Sequence, residues 1–131
     1  MGGDAQFFSI IDYTTDGPET QQELVEAFAE IQQRRVRSYP GYRWARFLAS
    51  ADGTRVYNIV AWASEADWRH FDDNDDLAER QADIEQALSG LSGTAEPRMS
   101  GSPRYTLMRE VRPNPTMAPA TGNAEGKPDA G

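Results

Sequence analysis

The hydrophobic positions at the start of the chain alternate as they do along a β-strand. In QFFSIIDY, residues 6–13, Phe7 and Ile11 fall on one face, whereas Phe8 and Ile10 fall on the other. Large apolar side chains therefore occur on both faces, and we expect both faces of this first strand to be buried.

The next segment changes from a period of two to helical spacing. The tripeptide DGP at 16–18 stops the strand and starts a helix, in which Leu24, Phe28 and Ile31 recur along one stripe. Glutamates near its start and arginines near its end complement the helix dipole. The tripeptide YPG at 39–41 ends this segment, so the pattern predicts one amphipathic helix.

Two more strands are predicted at 42–50 and 56–62. The tetrapeptide ADGT at 51–54 separates them and suits a tight turn, so they form a hairpin. In the second of these strands Asn58 shares a face with Val60 and Trp62, because side chains two apart lie on the same side. Asn58 is therefore an amide within an apolar strand.

A helix with an aromatic start follows this strand directly. Ser64 is suited to cap its N-terminus, with the acid Asp67 three residues later. Trp68, His70 and Phe71 come next, and His70 is the only histidine of the chain. These side chains are candidates for one site together with the amide of the preceding strand.

The remaining pattern predicts a further helix, after an acidic loop, and a last strand. The loop is DDNDD at 72–76, and Leu77, Ile84 and Leu88 then keep one helical stripe. A fourth strand is expected at 104–111, where Tyr105, Leu107 and Val111 share a face. Residues 91–103 carry little pattern.

The order of these elements is β-α-β-β-α-β, a split βαβ arrangement of the α+β class. We expect one domain at 5–112 and a disordered tail at 113–131, since the tail is rich in proline, glycine, alanine and polar residues. Two helices cover only one face of a four-stranded sheet, so the other apolar face needs a cover. A second copy of the chain is the simplest one, and we expect a homodimer.

Composition excludes several classes of function. A net charge of -8 and a pI near 4.6 argue against nucleic acid and anionic membranes as partners. The chain has no cysteine and one histidine, which excludes thiolate catalysis and His-rich or Cys-rich metal sites. We therefore expect no nucleic-acid or membrane partner. No run approaches the ~20 apolar residues of a membrane span, and the first four residues lack the pattern of a signal peptide, so we expect a cytoplasmic protein.

Ordinary structural roles compete with functional ones for each candidate residue. An asparagine in a strand can simply bind a neighbouring loop, and tryptophans are usually core residues. The alternation at 72–76 suggests a calcium loop, but Leu77 stands where that loop requires a glycine, and Asp83 stands where it requires a glutamate. We predict no metal site.

The sequence resembles the antibiotic biosynthesis monooxygenase family, in particular its cofactor-free enzymes that convert anthrones to quinones. The likeness runs from 7 to 111. It rests on DGP at 16–18, PGY at 40–42, DGT at 52–54 and, above all, Asn58-x-x-x-Trp62-x-Ser64-Glu65. This resemblance implies a ferredoxin-like fold, a dimeric α/β barrel, and a pocket into which the matching asparagine and tryptophan point.

Two departures from the family pattern bear on the chemistry that the resemblance implies. Trp68 stands where quinone-forming relatives have a tyrosine, so an aromatic wall is kept and a phenolic proton donor is lost. An arginine of the last helix in such a relative falls at Glu85 here. The haem-degrading branch uses a histidine of that helix, and this chain has none between Leu77 and Leu91, which disfavours haem.

The resemblance implies a monooxygenase that oxidises an anthrone-like aromatic polyketide with O2 and no cofactor. Its implied catalytic residues are Asn58, which stabilises an enolate oxygen, and Trp62, with His70 as a candidate base. The implied substrate-binding residues are apolar: Ile11, Val60, Trp68 and Phe71. A polyketide cyclase using the same pocket, and a protein that binds an aromatic ligand without reaction, remain alternatives.

Overall fold

A computed structural model describes residues 5–91 and 98–114. An antiparallel sheet carries helices on one of its faces. In chain order the elements are β1 (Phe7–Thr14), α1 (Pro18–Ile31), a π-helical turn (Gln32–Val36), β2 (Tyr42–Ala49), β3 (Arg55–Trp62), α2 (Glu65–Asn74), α3 (Leu77–Ser89), β4 (Arg98–Gly101) and β5 (Arg104–Thr106).

The strand order places the two most apolar strands at the centre of the sheet. The order is β2-β3-β1-β4, and β5 pairs with β1 on the same side as β4. β1 and β3 pair along their whole length, from Phe7 opposite Trp62 to Thr14 opposite Arg55. This confirms the predicted α+β, ferredoxin-like split βαβ fold.

Two of the motifs that carry the family resemblance, PGY at 40–42 and DGT at 52–54, each contain a glycine with a positive φ angle. Gly41 and Gly53 have φ angles of 83° and 80°, in the left-handed region that favours glycine. A Cβ at Gly41 would overlap the carboxyl group of Asp67, and one at Gly53 would lie 2.8 Å from the ring of Pro18. The turn before β2 therefore packs on the start of α2, and the hairpin turn packs on the start of α1.

The core between sheet and helices has two clusters. One gathers around Trp62 at one end of β3, where the π-helical turn and α2 cover it: Phe7, Val36, Val60, Trp62 and Phe71. The other gathers under α1 at the opposite end: Tyr13, Leu24, Phe28 and Val56. The helical stripe predicted for α1 is confirmed, because its three residues Leu24, Phe28 and Ile31 are all buried.

The π-helical turn connects α1 to the acidic helices. Arg35 lies in this turn, and its guanidinium contacts Asp83 of α3 at 2.8 Å and Asp75, between α2 and α3, at 3.2 Å. The Asp75 side chain is only 4% exposed and also lies 3.4 Å from Arg80. Buried ion pairs thus fix α3 against the turn that ends α1.

The structure corrects two of the predicted elements. Residues 72–76 are not one loop: α2 runs to Asn74, and Asp76 caps α3 by accepting a hydrogen bond from the Glu79 N–H. Leu77 is 56% exposed and lies outside the predicted stripe. Asp76 suits the start of α3, because an Asp at a helix N-cap is favourable.

The last strand is also shorter than predicted. The strand forms only at Arg104–Thr106, and Val111 is 82% exposed. A separate strand, β4, forms at Arg98–Gly101, within the segment that showed little pattern. Residues 92–97 and 115–131, which include nearly all of the predicted tail, lie outside the described residues.

The sheet face opposite the helices carries apolar side chains. Exposed residues there include Leu48, Tyr57 and Tyr105, at 53%, 41% and 47% exposure. Among the described helices, none is long and apolar enough to cross a bilayer.

Candidate active site

A cavity of about 250 Å³ lies between the sheet and the helices. Its floor is the helix-facing side of the two central strands, and its walls come from every helical segment and from β4, β5 and the loop between them. The lining residues used below are Ile11 and Tyr13 of β1, Asn58, Val60 and Trp62 of β3, Trp68, Phe71 and Asp72 of α2, Arg80 and Ile84 of α3, and Ser102 and Arg104 near β5.

Asn58 is at the centre of the cavity floor. It lies on the central strand β3 between Phe47 of β2 and Ile11 of β1 and is 3% exposed. Its Oδ1 atom is buried and has no hydrogen-bond partner among the described residues. A buried polar atom without a partner costs about 1–3 kcal/mol, so a ligand that supplies one is stabilised here.

Trp62, four residues further along β3, also has a buried polar atom without a hydrogen-bond partner among the described residues. Its side chain is 0% exposed, and its Nε1 donor has no partner among the described residues. The period of two along β3 puts this indole on the same face as Asn58, as predicted. One unpaired acceptor and one unpaired donor therefore border the same cavity.

Aromatic rings surround these polar atoms. Phe71 stacks on Trp62 with centroids 5.3 Å apart, and Trp68 packs on Phe7 at 5.7 Å. Both Trp68 and Phe71 reach the cavity because Ser64 starts α2 directly after β3, its Oγ accepting a hydrogen bond from the Asp67 N–H. The cavity is thus suited to a flat aromatic ligand.

Arg80 is a cavity residue that the sequence pattern did not indicate. It extends over the ring of Phe71 at 4.9 Å and lies 3.4 Å from both Asp72 and Asp75. Arg80 and Ile84 are four residues apart and therefore lie on one face of α3. This spacing was the signal in the sequence that could have placed Arg80 beside the cavity. Glu85, where the family arginine was expected, is exposed and does not line the cavity.

Tyr13 is a second residue that sequence reasoning missed. It is 4% exposed and packs edge-on against Phe28 at 5.0 Å. The alternation that places Ile11 on this face of β1 also places Tyr13 there. Burial raises the pKa of the phenol to about 12, so at neutral pH it keeps its proton and can donate it in a hydrogen bond.

This pKa shift predicts a loss of stability in alkali. The folded state holds the Tyr13 proton more tightly than the unfolded state, where the pKa is near 10, so stability falls as the pH rises from 10 toward 12. The expected loss is about 2–3 kcal/mol. Urea unfolding at pH 9 and pH 12 measures it, and Tyr13→Phe should show a correspondingly smaller decrease; equal decreases in both proteins would contradict the assignment.

His70 lies apart from the other predicted site residues. It is exposed on α2, its Nδ1 is 3.2 Å from the side-chain amide of Asn74, and its ring packs edge-on against Tyr39. It does not line the cavity, although Trp68 and Phe71 of the same helix do. The structure therefore brings together Ile11, Asn58, Val60, Trp62, Trp68 and Phe71 and leaves His70 on the outer surface.

A sequence profile of the antibiotic biosynthesis monooxygenase family matches residues 10–83, more than half of the chain. The chain belongs to this family. The matched range contains both unpaired polar residues of the cavity, Asn58 and Trp62. As a member of this family, the chain has the fold that its motifs implied, with Asn58 and Trp62 both bordering the cavity.

Individual relatives in the antibiotic biosynthesis monooxygenase family have named activities. Tetracenomycin-F1 monooxygenase of Streptomyces glaucescens is 36% identical over 62 residues, which are 47% of this chain and 55% of that protein. The chain thus spans about half the length of this curated relative. A monooxygenase from the gene ActVA-Orf6 of Streptomyces coelicolor, solved with the ligand nanaomycin D, is 33% identical with a TM-score of 0.64, covering 84% of this chain and 94% of that one.

A more distant structure shares the fold of this chain. SnoaB from Streptomyces nogalater, described as a cofactor-independent oxygenase, has 14% identity and a TM-score of 0.55, over 85% of this chain and 100% of that one. At this identity the likeness supports the fold alone.

Proposed function

We propose that this protein is a monooxygenase that oxidises an anthrone-like polycyclic aromatic polyketide to a quinone with O2. The observation that carries the proposal is the pair of unpartnered polar atoms, Asn58 Oδ1 and Trp62 Nε1, in a cavity walled by aromatic rings. The activities named for tetracenomycin-F1 monooxygenase and the ActVA-Orf6 protein support it.

The proposed reaction needs no flavin, haem or metal, because the substrate supplies all the electrons. Loss of a proton from the CH2 group of an anthrone gives an enolate that O2 oxidises and then bonds at that carbon as a peroxide. Protonation and loss of water turn this carbon into a carbonyl group. One oxygen atom enters the quinone and the other leaves as water, so CH2 + O2 gives C=O + H2O.

Each cavity residue has a role in this scheme. Asn58 can turn its amide to donate from Nδ2 to the enolate oxygen, and Trp62 donates from Nε1 to a second oxygen of the ligand. The apolar walls, Ile11, Val60, Trp68 and Phe71, hold the ring system and keep water from the reacting carbon. Arg80 and its ion-pair partner Asp72 complete the cavity wall beside Phe71.

Proton donation is assigned to Tyr13 in this proposal. It is the one tyrosine among the described cavity residues, and it supplies a phenol that Trp68 lacks. His70 is given no role in the reaction, because its ring lies on the outer face of α2.

The experiment that tests the proposal compares air with argon. Purified protein is mixed with an anthrone in an oxygen electrode, and the rate of oxygen uptake is corrected for spontaneous oxidation. The mass of the product is then measured by mass spectrometry. Quinone formation with oxygen uptake above background is expected, and it should persist with a metal chelator. Turnover under argon, to a product without added oxygen, would indicate the cyclase instead; binding without turnover would indicate a ligand-binding protein.

We further propose a homodimer that acts in the cytoplasm. The sheet face opposite the cavity supports the dimer, because it presents Leu48, Tyr57 and Tyr105 to the surface. A contiguous apolar patch on a soluble protein usually marks an interface.

Light scattering tests this interface. We expect a mass of about twice the chain mass of 14.6 kDa for wild type. Leu48→Glu should shift the mass toward that of one chain, because a two-fold interface would bury a new negative charge on each of the two protomers. Ala78→Glu, on the exposed surface of α3, is the control and should leave the mass unchanged. A wild-type protein that is a monomer at micromolar concentration would contradict the proposal.

A further inference from the structure

Arg104 is a cation at the edge of the cavity without an acidic partner among the described residues. Its guanidinium lies over the ring of Trp68, 4.6 Å from the centroid, and its Nη1 donates to the Ser102 carbonyl at 3.1 Å. Arg80, the other cavity arginine, is by contrast neutralised by Asp72 and Asp75. The positive charge of Arg104 is therefore available to a ligand.

Six other arginines of the described residues are paired with acidic side chains, whereas Arg104 is not. The net charge is -8, and the described ion pairs occupy Arg34, Arg35, Arg55, Arg69, Arg80 and Arg112. The guanidinium of Arg104 is a planar fork of N–H donors, and one of its nitrogens donates to the Ser102 carbonyl oxygen. That geometry matches the two oxygens of a carboxylate.

The strand register fixes where Arg104 lies relative to the two unpaired atoms. Asn58 and Trp62 are four residues apart on β3, about 13 Å along the strand. Arg104 pairs with Ser9, which pairs with Val60, so it lies at the level midway between them. It is two strands across, about 10 Å to the side.

We propose that Arg104 binds a carboxylate on the substrate, so that the preferred substrates are aromatic polyketide acids. A planar ring system along β3 reaches both Asn58 and Trp62, and a carboxyl substituent at its side reaches across β1 to Arg104. The inference rests on the proposed function for the identity of the ring system. The carboxylate contact itself does not depend on turnover.

Equilibrium binding tests this contact without the reaction. The probes are anthraquinone-2-carboxylate and its uncharged counterpart anthraquinone-2-carboxamide, and their Kd values are measured by quenching of tryptophan fluorescence. Wild type should bind the carboxylate more tightly than the amide. Arg104→Gln should raise the Kd of the carboxylate probe by about tenfold or more and leave the Kd of the amide probe nearly unchanged. Arg104→Lys should restore part of the preference for the carboxylate.

Arg69→Gln is the matched control. Arg69 also lies over Trp68, at 5.8 Å, but it pairs with Glu65 and does not line the cavity, so its loss should keep the preference. Equal weakening of both probes by Arg104→Gln, or no preference in wild type, would overturn the inference. A preserved preference in a protein that does not oxidise anthrones would refute the oxidase proposal and leave the carboxylate site intact.

Discussion

Asn58→Ala is expected to lower kcat for anthrone oxidation by about one to three orders of magnitude. The amide is 3% exposed on the cavity floor, and its Oδ1 has no partner in the described part of the protein. If the amide stabilises charge that develops on the enolate oxygen, its loss removes an interaction that is strongest in the transition state. KM should change less than kcat.

Asn74→Ala is the matched control for this substitution. Asn74 is also an asparagine, but it lies at the exposed end of α2, where it donates to the His70 carbonyl oxygen at 2.7 Å. We expect its loss to leave kcat within about twofold of wild type, as is usual for a site without contact to the substrate. Equal rates for wild type and Asn58→Ala would refute the assignment of Asn58.

Arg35→Ala is expected to lower the free energy of unfolding by about 3 kcal/mol. The guanidinium is 13% exposed and contacts Asp75, Glu79 and Asp83, so its removal leaves the buried Asp75 with Arg80 alone. Urea unfolding at neutral pH measures the loss. We also expect weaker binding of aromatic ligands, because the same network fixes α3 and with it Arg80 in the cavity wall.

Arg34→Ala is the control for Arg35, since the two residues are adjacent and share Asp83. Arg34 is 50% exposed with a single contact at 3.3 Å, and its loss should cost less than about 1 kcal/mol. The Arg35 guanidinium lowers the pKa of Asp83. The stabilisation by the Arg35–Asp83 ion pair is therefore present above the ordinary pKa of aspartate and is lost as the pH falls through the lowered pKa. Similar losses for both variants at neutral pH would contradict a central role for Arg35.

The central strands and half of the site could be predicted from the sequence because their signals are local. Alternation along β3 puts Asn58, Val60 and Trp62 on one face, and the Ser64 cap starts α2 immediately afterwards. The unpaired state of Asn58 and Trp62 could not be predicted, because it depends on what the helices leave empty above them. That is a property of packing between elements distant in sequence.

The acidic helices and the last strands show where local signals fail. α3 buries none of its residues fully, so its apolar stripe is weak, and the sequence pattern also failed to show that α2 runs on to Asn74. β4 and β5 are held by pairing with β1, with a register shift at Asp12 and Tyr13, rather than by their own alternation. Arg80 and Arg104 looked like surface charges, because only the fold shows that they border the cavity.

Labelling with ¹⁸O2 tests the central claim most directly. Protein freed of small molecules is given an unlabelled anthrone in H2¹⁶O under ¹⁸O2, and the first quinone formed is analysed by mass spectrometry. The account predicts one ¹⁸O atom in the new carbonyl group, one molecule of O2 consumed per quinone, and a rate above the protein-free control. A product without label, or a rate no greater than that control, would contradict it.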